Sequence, residues 1–81
     1  MPDLAIHPNP ASESITLTSD KPLGLIRIEV SDELGVARIY TTRIVKSSTE
    51  SIDIHTLPSG KYYLHITSDK FVTTLALVVS R

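Results

Sequence analysis

Ile26, Ile28 and Val30 alternate with Arg27 and Glu29. A period of two places the apolar side chains on one face of an extended strand and the charged ones on the other. The same alternation recurs in Ser14-Ile15-Thr16-Leu17-Thr18, in Ile52-Asp53-Ile54, and in Tyr62, Leu64 and Ile66 set against Tyr63, His65 and Thr67. Turn-forming strings separate these segments: Ser19-Asp20-Lys21-Pro22-Leu23-Gly24, Asp32-Glu33-Leu34-Gly35, Leu57-Pro58-Ser59-Gly60 and Ser68-Asp69-Lys70. No stretch sustains an apolar period near about 3.6 residues, so helices are excluded as the main element. Valine, isoleucine and threonine make up 24 of the 81 residues, and their branched β-carbons suit a pleated sheet.

Strands are therefore predicted at Leu4 to His7, Ser14 to Thr18, Ile26 to Val30, Val36 to Thr41, Ile52 to Ile54, Tyr62 to Thr67 and Phe71 to Val79. Arg43 to Glu50 reads as a polar loop, with strand character at its start from Ile44 and Val45. Pro8-Asn9-Pro10 is expected to kink the chain and end pairing, because its two prolines fix φ and remove two backbone donors. About seven strands with turn signals every roughly 8–12 residues indicate an all-β, immunoglobulin-like sandwich. The connections are too short for crossover helices, so the strands should be mainly antiparallel. The 81 residues allow one domain, ordered from about Leu4 to Arg81, that buries only roughly 60–65% of its unfolded surface.

The residues offer little for catalysis. The chain has no cysteine, which excludes thiol nucleophiles and thiolate metal sites. His7, His55 and His65 are scattered without metal-motif spacing and read as surface residues, His65 on an outer face. Asp32-Glu33 reads as a solvated hairpin tip, and Asp53 as facing solvent between Ile52 and Ile54. The glycines Gly24, Gly35 and Gly60 are isolated and form no phosphate loop, but Gly35 is placed to supply a positive φ. No catalytic, cofactor or metal site is expected. A net charge of -1 argues against a nucleic-acid partner relying on a basic surface. No apolar run approaches the roughly 20 residues of a membrane span. Met1-Pro2-Asp3-Leu4 carries no signal-peptide pattern.

Two features remain open on the residues alone. Tyr62 follows Gly60 by two positions, which fits a tyrosine corner, in which the hydroxyl bonds back to the turn backbone, or a simple inward-facing ring. Leu75-Ala76-Leu77-Val78-Val79 is nearly continuous apolar sequence. It is a last core strand, or an edge that docks another chain, including a second copy in a homodimer.

His7-Pro8-Asn9-Pro10-Ala11-Ser12 resembles the opening block of the C-terminal sorting domains of the bacterial type IX (Por) secretion system, type A. Ile28-x-Val30-x-Asp32-x-x-Gly35 resembles their second block. Ile52-Asp53-Ile54-x-x-Leu57-x-x-Gly60-x-Tyr62-x-Leu64-x-Ile66 resembles their third, and Leu77-Val78-Val79 their ending. Two positions depart from the family pattern: His7 stands where tyrosine or phenylalanine is common, and Ala76 where lysine is common.

The resemblance implies a seven-stranded immunoglobulin-like domain at the C-terminus of a larger exported protein of Bacteroidota. Its recognition residues would be Pro8, Asn9, Pro10, Gly35, Gly60, Tyr62, Leu77, Val78 and Val79. The implied partners are the outer-membrane translocon, a shuttle barrel protein and a cell-surface sortase that removes the domain. The implied route runs through the periplasm to the outer membrane, cell surface or medium. Two other functions compete with sorting. One is an adhesion or carbohydrate-binding module, for which only Tyr40 and Tyr63 supply exposed aromatics. The other is a retained domain of a secretion-machinery component with an assembly or signalling role.

Overall fold

The computed structural model describes residues 3–8 and 11–81. Seven strands follow in order: β1 Leu4–His7, β2 Ser14–Ser19, β3 Gly24–Asp32, β4 Ala37–Val45, β5 Thr49–Asp53, β6 Gly60–Thr67 and β7 Val72–Val79. They form a three-stranded sheet ordered β1-β2-β5 and a four-stranded sheet ordered β4-β3-β6-β7. Every strand pair within the two sheets is antiparallel. The chain changes sheet between β2 and β3, between β4 and β5, and between β5 and β6. This is the connectivity of an immunoglobulin-like sandwich.

The alternation read from the sequence decides which face each strand buries. Ile15 and Leu17 of β2 and Ile52 of β5 line one inner face. Ile26, Ile28 and Val30 of β3, Leu64 and Ile66 of β6, and Leu77 and Val79 of β7 line the other. All are at most 2% exposed, so each contributes on the order of 1.5–3 kcal/mol by leaving water. β7 places Leu75, Leu77 and Val79 inward, and Ala76 and Val78 on its outer side.

Several boundaries differ from expectation: β3 runs from Gly24 to Asp32, β5 ends at Asp53 so that Ile54 lies beyond it, β6 begins at Gly60, and the largest differences concern β4. The stretch from Arg43 to Glu50 is mostly strand, because β4 continues to Val45 and β5 begins at Thr49. Val45 is buried opposite Gly24, which extends the β3–β4 ladder by several residues. Arg43 then reaches from the edge of one sheet to the edge of the other, with Nη1 2.7 Å from Glu50 Oε2 and 3.2 Å from the Ser51 carbonyl. Val36 lies outside β4, its N–H donating to the Asp32 carboxylate. Pro8, the first residue of the expected Pro8-Asn9-Pro10 kink, follows directly on the last β1 pair, His7–Thr16. Asn9 and Pro10 lie outside the described residues.

Candidate recognition pole

Antiparallel register brings distant segments to one end of the sandwich. Asp32 pairs with Tyr62 and Tyr62 with Leu77, while Gly60 pairs with Val79. On the other sheet Ser14 pairs with Asp53. The β3–β4 turn, the β5–β6 connection, the segment from Ala11 to Glu13 and the end of β7 therefore share one pole.

Ala11 stitches the two sheets together there. It is buried and forms a parallel bridge with Val79. Its N–H donates to the Val78 carbonyl at 2.8 Å, and its own carbonyl accepts from Ser80 N–H at 2.8 Å. Ala11 thus occupies the outer edge of β7 at Val78–Val79, the end that the sequence left open for docking. Two residues on, the Glu13 carbonyl accepts from Ile54 N–H at 2.9 Å.

The β5–β6 connection is held from both sides. The Tyr62 hydroxyl donates to the Pro58 carbonyl at 2.7 Å while the residue as a whole is 6% exposed, so Tyr62 forms the tyrosine corner. A β-carbon at Gly60 would sit 3.8 Å from the Tyr62 ring, so Gly60 forms one wall of that ring's site. Arg81 clamps the same connection: its N–H donates to Ser59 Oγ at 3.1 Å and Nη2 to the Ile54 carbonyl at 2.8 Å. Asp53 and His55 close the rim, with Asp53 Oδ1 accepting from His55 N–H and lying 2.7 Å from its ring Nδ1. The His55 backbone N–H foremost, then its ring, holds the Asp53 carboxyl below its ordinary value.

Gly35 stands at the tip of the β3–β4 hairpin with φ of 83°, a left-handed conformation that glycine adopts without a β-carbon penalty. Asp32 organises this tip. Its Oδ1 accepts from Leu34 N–H at 2.9 Å and Val36 N–H at 3.0 Å, and its Oδ2 pairs with Arg38 at 3.0 Å. The ladder shifts between Val30 and Ser31, passing over Arg38, as a bulge that turns that side chain towards Asp32. The Val36 N–H is the largest cause holding the Asp32 carboxyl below the usual carboxylate range.

The pole therefore gathers Gly60, Tyr62, Leu77, Val78 and Val79 into one packed unit, with Gly35 exposed beside it. Pro8 leads towards it from β1. Residue types alone did not reveal the clamp by Arg81, because its partners lie 22 and 27 positions away. The organising role of Asp32 had a signal in its spacing to Gly35. The histidines lie apart: His7 on exposed β1, His55 in the turn, and His65 on an outer face 3.0 Å from Thr74 Oγ1. Among the described residues no cluster of His, Asp and Glu has the grouping of a metal site.

The sequence profile of the family described as "Secretion system C-terminal sorting domain" matches residues 5–80. The chain belongs to this family. It is a C-terminal sorting domain of type IX secretion, a family of sorting signals rather than of enzymes. Membership implies interaction with the secretion system and export to the cell surface or medium. Among curated proteins, none matches the chain significantly. No helix among the described residues of the sorting domain is long and apolar enough to cross a membrane.

Proposed function

We propose that this sorting domain is the C-terminal part of a larger exported protein and has no catalytic activity of its own. The cargo crosses the inner membrane on an N-terminal signal, and the folded domain transits the periplasm. The outer-membrane translocon then reads it, a shuttle barrel carries it onward, and a cell-surface sortase removes it. The family match over residues 5–80 carries this reading.

The motif residues divide into two groups by burial. Tyr62, Leu77 and Val79 build the pole from inside. Pro8, Gly35 and the outer side of β7 present it to a partner, and the segment Leu75 to Arg81 carries much of the translocon recognition. Fusing the domain to a signal-bearing reporter in a type IX-competent cell tests this. Surface delivery of the fusion is expected, with loss on deleting Leu77 to Arg81. Val78→Glu separates recognition from folding, because its side chain lies on the outer side of β7. It should block delivery while the purified domain keeps its β-sheet circular dichroism. Delivery that survives both changes overturns the proposed role of the last strand.

A further inference from the structure

At the opposite pole β3 is longer than its neighbour. β6 pairs with Arg27 to Asp32 and ends at Thr67, whereas β4 pairs with β3 from Gly24 onward. Among the described residues no strand covers the β6-facing edge of Gly24, Leu25 and Ile26. Successive residues of a strand direct their backbone groups to alternate sides, so this overhang turns an N–H and a C=O towards the vacant position. The chain after Thr67 instead turns through Ser68, whose Oγ accepts from Lys70 N–H and Phe71 N–H at 3.0 and 3.1 Å.

An open groove of about 720 Å³ lies between this overhang and the Ser68–Phe71 turn. That is within the range of roughly 300–1,000 Å³ typical of ligand sites. Leu23 and Phe71, both half-buried against the core, give it an apolar floor. Leu25 continues the apolar surface outward with its cross-strand partner Ile44, and the two are 61% and 66% exposed. Lys21, Arg27 and Lys70 stand around the groove, with Asp69 as the single acid among its lining residues. None of the three cations forms an ion pair among the described residues.

A bare strand edge, an apolar floor and a cationic rim together select one ligand chemistry. The geometry points to a short extended peptide of another protein, carrying acidic side chains between apolar ones, that adds to β3 at Gly24–Ile26 in line with β6. Backbone pairing supplies register, alternate apolar side chains meet Leu23 and Phe71, and acidic ones meet the lysines. Unoccupied, the same lysines guard the edge against pairing with a second copy. This site is separate from the motif-bearing pole, and its test does not depend on secretion.

The intact isotope-labelled domain is titrated with a soluble peptide alternating glutamate and valine, and amide shifts are followed by NMR. Shifts confined to Gly24–Arg27 and Ser68–Phe71 are expected, with the Gly60–Tyr62 region unmoved. Joint substitution Lys21→Glu and Lys70→Glu, both at exposed positions, should weaken binding about tenfold. A peptide N-methylated at every residue keeps its charge but has no backbone N–H with which to pair, and it should not bind. Equal binding of the N-methylated peptide, or of a lysine–valine peptide, overturns the inference. So do shifts at these residues from phosphatidylglycerol vesicles when the glutamate–valine peptide produces none.

Discussion

The Tyr62 hydroxyl donates a 2.7 Å hydrogen bond to the carbonyl of Pro58, four residues earlier in the chain. The bond lets a buried aromatic ring end the core while its polar tip stays satisfied. Tyr62→Phe keeps the ring and leaves that carbonyl without its donor. It should lower the unfolding free energy by about 1 kcal/mol, seen as a lower urea midpoint at unchanged slope. An unchanged midpoint would remove the hydroxyl from any structural role.

Leu77 and Ala76 are adjacent in β7 but lie on opposite sides of the strand. Leu77 is fully buried. Leu77→Ala should cost about 2–5 kcal/mol, a large part of the stability of so small a domain. Ala76→Ser should stay within about 0.5 kcal/mol. Thermal unfolding of the two variants checks the facing of the strand, and equal losses would contradict it.

Gly35 adopts a φ of 83°, and no atom lies within 4 Å of where a β-carbon would stand. A methyl group there meets no clash, so the cost of Gly35→Ala is one of backbone conformation. It should amount to about 1–2 kcal/mol. Gly24, with φ of 71° and equally open space, should behave alike on substitution by alanine. Chemical denaturation of the two single variants tests this, and a neutral result at both positions would refute it.

Asp32 has a folded pKa below its ordinary value of 3.8, chiefly through the Val36 N–H and then Arg38. A depressed carboxyl stabilises the fold while ionised. That contribution is complete above the ordinary value and is lost as pH falls through the lower folded one. Stability should therefore decline below about pH 4, and Asp32→Asn should make that decline shallower. Unfolding curves across the acid range decide it, with identical slopes counting against the link.

Strand positions were legible because Ile26, Ile28, Val30, Leu64 and Ile66 obey a two-residue period that a sheet with one buried face requires. The boundary at Val45 was less legible, because Lys46-Ser47-Ser48 gives a polar stretch no alternation to read. Only pairing with Gly24, and Arg43 reaching across to Glu50, show where β4 stops. The corner at Tyr62 was foreshadowed by its spacing from Gly60. The Ala11 stitch and the Arg81 clamp were not, since each depends on which distant segments a sandwich topology brings together.

That stitch has a consequence for how the domain conveys its message. Ala11 bonds to the neighbours of Val79, and Leu77 and Val79 fill the core. A chain that stops before Leu77 loses both of these core side chains and the partners of Ala11, and β6 loses its pairing at Gly60–Tyr62. The last residues of the domain thus complete its core, so the pole takes its shape only once synthesis has passed Val79.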